Sequence, residues 1–159
     1  MTQNITFDDA IAFVWREADM LDRGAYDEWL DLWTGDGLYI IPIEKEVDDY
    51  ATVLNYIYDD AKMRRMRVAR LTSSQSMSAA TAAETVRTVS RFVETTDHGT
   101  GISLRAAQHL AEYKRGTHRM VPATIEIDLR RDKGEIKIFR KIVTLASRED
   151  GIQGIGYLL

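Results

Sequence analysis

Residues 117–145 read THRMVPATIEIDLRRDKGEIKIFRKIVTL, and this stretch decides the architecture. Val121, Ala123, Ile125, Ile127 and Leu129 alternate with polar neighbours, the two-residue period of a strand with one dry and one wet face. Asp132-Lys133-Gly134 supplies a tight turn, and a second run rich in Ile and Val follows. In that run Ile136, Ile138 and Ile142 lie on one parity, whereas Phe139, Val143 and Leu145 lie on the other. Such a strand is either covered on both faces or shifted in phase by a bulge.

Toward the N-terminus, two further Val-, Ile- and Thr-rich runs begin at Glu84, with turn signals at Asp97–Gly101 and Arg115–Thr117. The pattern predicts four consecutive antiparallel strands joined by hairpins. The texture before Glu84 is helical. Thr6 and Asp9 have the spacing of a capping box, flanked by Ile5 and Ala10, and Ile11, Val14, Trp15, Ala18 and Leu21 form one apolar stripe that ends at Gly24. A second helix is predicted from Tyr26 to about Thr34, stopping at Gly35-Asp36-Gly37. Leu38–Ile43 reads as a strand whose Pro42 favours a sheet edge, and the Gly- and Pro-free segment Asp60–Thr72 reads as a third helix. Helices followed by a meander of long strands make an α+β domain, in which a strongly twisted sheet curls around the helical hairpin.

With 159 residues the chain is long enough for one domain with its own core, over 1–159. No cysteine is present, which excludes disulfides, thiolate nucleophiles and cysteine-bound iron–sulfur clusters in this chain. The opening MTQNITFDDA lacks a basic then apolar leader, no run approaches membrane-spanning length, and a cytoplasmic location is the expectation. A net charge of −4 argues against a nucleic-acid partner. The charge is segregated: residues 1–60 hold 15 acids and 3 bases, leaving 10 acids and 18 bases in the remainder. Either the halves neutralise each other within one domain or they meet across a subunit interface.

Chemistry-bearing patterns are sparse. The histidines are His98, His109 and His118, none spaced to share a helix face as metal ligands, and no phosphate-loop, dinucleotide or nucleophile-elbow motif occurs. Asp8-Asp9, Asp48-Asp49 and Asp59-Asp60 are adjacent in sequence, so the two side chains of each pair do not face one another. The third helix carries Lys62, Arg64, Arg65, Arg67 and Arg70 with no acid among residues 61–70, which points to interface contacts or buried pairs, since arginine offers a rigid fork and an apolar stem.

Taken together, several of these stretches resemble one family. Glu17-Ala18, Tyr26–Leu30, Gly35–Tyr39 and Pro42 are similar to the opening of the β subunit of aromatic-ring-hydroxylating, Rieske non-haem-iron dioxygenases. Ile57–Asp60 leading into Met63, Arg64, Arg67 and Arg70 resembles the next part of that subunit, and Thr85, Arg87, Val89 and Ser90, then Ile138, Arg140–Ile142 and Leu145, resemble its later strands. The chain departs from the family pattern at Ser73–Ala80, where prolines are usual, and at Glu135-Ile136, where tryptophan is common.

The resemblance implies a cystatin-like cone of the nuclear-transport-factor and ketosteroid-isomerase type, a strongly curved, mainly antiparallel sheet wrapped around the helical hairpin plus a third helix. It also implies a structural, non-catalytic subunit that forms a homotrimer beneath three catalytic α subunits in an α3β3 assembly. The Rieske 2Fe-2S cluster and the mononuclear iron belong to the α subunit. Tyr58, Asp59, Asp60, Arg64, Arg67, Arg70 and Arg87 would form the interface or structural motif. The same cone also serves dehydratases, isomerases and cyclases that use a pocket acid or base. On that rival reading the residues to watch are Asp36, Tyr39, His109 and Tyr113.

Overall fold

The computed structural model describes residues 4–77, 83–95, 101–150 and 155–159. The expected turn around His98, and the part of the Ser73–Ala80 departure beyond 77, lie outside the described residues. Among the described residues, three α-helices, α1 (Phe7–Asp22), α2 (Tyr26–Leu30) and α3 (Ala61–Met77), accompany six strands: β1 (Trp33–Pro42), β2 (Asn55–Asp59), β3 (Glu84–Glu94), β4 (Gly101–Lys114), β5 (Thr117–Asp132) and β6 (Glu135–Leu145). The strands form one curved sheet in the order β2-β1-β6-β5-β4-β3, with every neighbouring pair antiparallel except β1 and β6. This is the α+β curved sheet that the sequence predicts.

Thr6 starts α1 as expected, its Oγ1 accepting from the Asp9 amide at 3.1 Å. The buried face runs through Ala10, Phe13, Val14, Glu17, Ala18 and Leu21, so the stripe is rotated relative to the predicted one. Trp15 is 56% exposed, its Nε1 donating to the Val89 carbonyl at 2.9 Å and its ring standing edge-on to Phe92. The helix ends at Gly24 in the left-handed region (φ 69°), where the Ala25 amide closes back onto the Met20 carbonyl.

Pairing with β6 overrides the second predicted helix. The Ile138 amide donates to the Leu32 carbonyl at 2.7 Å and Trp33 stands opposite Ile138, so the chain leaves α2 after Leu30 and is already a strand at Trp33. Gly35-Asp36-Gly37 is therefore not a helix stop but part of an irregular stretch of β1, between the register positions Trp33 and Leu38. Gly37 belongs there because a Cβ would approach the Ile138 carbonyl and the Trp33 ring to 3.0 Å. Nor is β1 an edge: it lies between β2 and β6, and Pro42 is tolerated as its last residue, at a register shift. The edge on that side is β2, whose residues no periodicity had marked as a strand.

The mixed parity of β6 has both expected causes. Asp128 pairs with Arg140 and Leu129 with Ile138, which leaves Phe139 as the extra residue of a bulge. Beyond it the phase flips, so that Lys141, Val143 and Leu145 join Ile138 among the buried residues. Ile142 is also buried, opposite Ile40 on the other face, where residues 45–50 border the same cleft. The buried side chains of α1, α2, α3 and the inner sheet face form one hydrophobic cluster among the described residues.

Close strand approach gives a clean test. A Cβ on Gly101 would lie 2.0 Å from the Leu129 carbonyl oxygen, whereas one on Gly35 meets nothing within 4 Å. Gly101→Ala is expected to cost about 2 kcal/mol, or roughly 4–8 °C in Tm, with Gly35→Ala close to neutral. Equal melting of the two variants by circular dichroism would contradict this packing.

Candidate functional site

The concave face is where a protein of this shape would hold a ligand, and here it is crossed by polar struts. Glu17 projects from the apolar face of α1 and meets Lys141 of β6, with Nζ donating to Oε1 at 2.5 Å and both residues no more than 2% exposed. Trp29 Nε1 donates to the same oxygen at 3.2 Å. Lys141 also donates to the Leu159 carbonyl at 3.1 Å. Tyr39, opposite Lys141 in the β1–β6 register, donates its hydroxyl to that carbonyl at 2.9 Å and accepts from the Leu159 amide at 3.0 Å. Burial pulls Lys141 below the usual ammonium range and pushes the Tyr39 hydroxyl upward, so the tyrosine stays a neutral donor. Trp29, Trp33 and Tyr39 pack edge to face around this centre, with centroids 5.3–6.0 Å apart.

Four further sets of polar contacts accompany it. Asp59, at the end of β2, holds Arg67 through two hydrogen bonds of 2.6 and 3.1 Å, and that bonding raises the guanidinium further. Arg64, one turn earlier on α3, donates to the Gly37 carbonyl and lies 4.1 Å over the Trp33 ring. Burial lowers Arg64 to about 10, so it remains a cation at neutral pH. At the end of α1, Asp22 accepts from Thr85 Oγ1 at 2.9 Å and from the Arg87 amide and Nε at 2.8 Å each, clasping β3. Glu112 of β4 receives Arg119 at 2.6 Å and the hydroxyl of Tyr157. Burial alone would raise Glu112, but these two donors outweigh it and hold the carboxyl below the usual range. Together Tyr157, Leu158 and Leu159 are buried in the mouth of the curved sheet. What remains there is a space of about 290 Å3 bordered by Tyr39, Ile41, Tyr56, Arg67 and Leu158.

The residues that the sequence singled out divide clearly. Asp59, Arg64 and Arg67 come together beneath α3, Asp60 caps that helix by accepting from the Met63 amide at 2.9 Å, and Arg87 lies apart with Asp22. These contacts are within the chain. Tyr58 is half-buried opposite Ile40 in β2, and Arg70 is exposed on α3.

The rival acid–base set does not converge. Tyr39 is at the centre, whereas Asp36 is exposed in the irregular part of β1 and His109 is exposed on β4. Tyr113, 46% exposed, lies tilted against the His118 ring with centroids 5.0 Å apart. Among the described residues no group of three or more His, Asp or Glu side chains is placed to hold a metal ion. No helix among them is long and apolar enough to cross a membrane.

The Glu17–Lys141 pair was missed in the sequence. Its signal was nonetheless present: Glu17 stands between Val14, Ala18 and Leu21 on an otherwise apolar face, and Lys141 shares parity with Val143 and Leu145.

Fold and site define a class: a curved-sheet α+β protein whose concavity is braced by its own ion pairs and closed by residues 157–159. The chain belongs to the ring hydroxylating beta subunit family, whose sequence model matches residues 16–149. Among solved structures it is similar to the β subunit of benzoate 1,2-dioxygenase from Burkholderia mallei ATCC 23344, at 23% identity over 98% of this chain and 99% of that one, with a TM-score of 0.82. Naphthalene 1,2-dioxygenase with indole bound in its active site matches at 18% identity, covering 96% and 84% of the two chains, with a TM-score of 0.79. An NTF2-like protein with a cystatin-like fold from Novosphingobium aromaticivorans matches at 16% identity over 93% of each chain, with a TM-score of 0.59. No curated protein sequence matches the chain.

Two outcomes follow from the struts. Lys141→Met leaves the Glu17 carboxylate buried without its cation and is expected to cost about 3–5 kcal/mol in urea unfolding, most of it recovered by adding Glu17→Leu. A double variant no more stable than the single one would refute the coupling. For Glu112 the folded-state value lies below the unfolded 4.5, so its contribution is present above that pH and fades as pH falls through the folded value. Glu112→Gln should therefore melt below the native chain at pH 7, and the gap in Tm should close in acid.

Proposed function

We propose that this chain is the structural, non-catalytic small subunit of a multicomponent dioxygenase that adds dioxygen to an aromatic compound in catabolism. Its partner on this reading is a catalytic α subunit carrying a Rieske 2Fe-2S cluster and a mononuclear iron. The assembly is cytoplasmic, with a trimer of this chain beneath three α subunits. The observation that carries the reading, beside family membership, is the state of the concavity. Glu17, Lys141, Tyr39, Asp59 and Glu112, the titratable groups that a pocket enzyme of this fold would direct at a substrate, are instead engaged within the chain: Glu17 with Lys141, Tyr39 with Leu159, Asp59 with Arg67, and Glu112 with Arg119 and Tyr157. General acid–base catalysis needs a titratable group within hydrogen-bond reach of the substrate, and these groups already have partners. A body braced in this way is suited to presenting a fixed surface to other subunits.

Having no cysteine, the chain cannot supply the thiolates of a Rieske cluster, and that cluster is therefore assigned to the partner. The dehydratase, isomerase or cyclase alternative gains nothing from Asp36, His109 and Tyr113, which are exposed and do not surround the buried Tyr39.

Co-expression with a dioxygenase α subunit encoded beside it, followed by sizing chromatography and an oxygen-uptake assay on aromatic substrates, tests the proposal. The expected result is a large iron-containing complex whose turnover is unchanged by Asp36→Asn or His109→Ala in this chain. Turnover of a substrate by the isolated chain with metals chelated would refute it.

A further inference from the structure

Among the described residues, two surfaces stand out because each has what the other lacks. The first is the outer face of α3. Its inner side is occupied by Arg64, Arg67, Val68 and Leu71, yet the outer side is not the wholly polar stripe expected of a solvated helix. Met63 and Met66 stand 46% and 55% exposed there, between Lys62, Arg65 and Arg70. Lys62, Met66 and Arg70 are successive at four-residue spacing, so the methionine sits between two cations along one ridge about 12 Å long. None of the three cations has an ion pair among the described residues.

The second surface is a cleft of about 660 Å3 between α1, α2 and the start of β6. Phe13, Met20, Leu32 and Ile136 supply its apolar lining, and the acids Asp9, Glu28, Asp31 and Glu135 outnumber the bases Arg16 and Lys137. Both bases are already engaged: Lys137 donates to the Asp31 carbonyl and is 3.1 Å from Glu135, and Arg16 lies over the Phe13 ring. The carboxylates of Asp9, Glu28 and Asp31 have no ion pair among the described residues.

We propose that the outer face of α3 in one copy of this chain seats in the α1–α2–β6 cleft of the next copy. Met63 and Met66 enter the apolar lining, where an unbranched thioether adapts to an irregular gap, and Lys62, Arg65 and Arg70 meet Asp9, Glu28 and Asp31. The charge segregation along the chain fits this arrangement. Three of its cross-half ion pairs, Glu17–Lys141, Asp22–Arg87 and Asp59–Arg67, close within the monomer, and these two surfaces hold exposed charge of opposite sign left over. Because the surfaces differ, the contact is head-to-tail, and such a contact closes into a ring when its rotation allows. The inference rests on the trimer proposed above and names the contact that would build it.

Sizing with light scattering, on the full chain alone and in complex with the α subunit, separates the two ideas. The comparison uses the native chain, a face-reversed variant (Arg65→Glu with Arg70→Glu), a cleft-reversed variant (Glu28→Lys with Asp31→Lys) and the fourfold variant carrying all these changes. The expected result is a native trimer, a fall to monomer for each double variant, and a trimer again for the fourfold one. In the cysteine-free background, Met66→Cys with Ala12→Cys should form covalent multimers on oxidation while either single variant yields none beyond dimers. This second measurement decides the matter if a reversed chain fails to fold. A native trimer indifferent to both reversals, or one that the fourfold variant does not restore, overturns this contact and leaves the trimer standing. A native monomer in both settings overturns the trimer and this inference with it.

Discussion

One ion pair in a dry place constrains the molecule. Glu17 and Lys141 are separated by most of the chain, and neither can be charged inside an apolar sheet without the other. A buried pair of this kind is weak evidence for net stability, but it is demanding about geometry. It requires Lys141 to point inward, and Lys141 points inward because Phe139 is an extra residue in β6. Without that bulge the strand would keep its earlier phase and turn Lys141 to the opposite face. The bulge and the ion pair therefore presuppose each other, and Trp29, Tyr39 and Leu159 join the same small network.

The network also explains how one fold can serve opposite ends. A curved sheet encloses space, and that space becomes a reaction vessel when its polar groups are left pointing at a guest. Here those groups point at each other and at the residues that close the mouth, so the enclosed volume becomes internal bracing.

What could be read from sequence was what local chemistry decides. The strands β3 to β6 announce themselves through Val-, Ile- and Thr-rich runs separated by turn signals, with clean two-residue alternation in β5, and Thr6 caps α1 through atoms three residues away. The failures share a cause. Trp33 to Gly37 looks like a helix end because Gly and Asp are turn formers, but Leu32 and Trp33 are claimed by β6 about a hundred residues later. Asn55 to Asp59 becomes a strand only because β1 is there to pair with it. The four residues of the rival acid–base set share titratable chemistry but no local signal of direction, and only the register of the sheet tells that Tyr39 faces inward while His109 is exposed. Arg64 and Arg67 were legible as candidates for buried pairs, whereas the identity of their partners was not.

The parallel pairing of β1 with β6 has a consequence for how the chain is made. During synthesis residues 33–42 emerge early, and their partner strand follows only after some hundred more have been added. Until then one side of β1 has open backbone donors and acceptors, with Ile40 and Ile41 uncovered, which is the kind of nascent edge that chaperones shield and that aggregates when it is not shielded. Closing so long a loop is an entropically slow step. The β3–β4–β5–β6 meander, by contrast, is built from neighbours in sequence and closes only short loops.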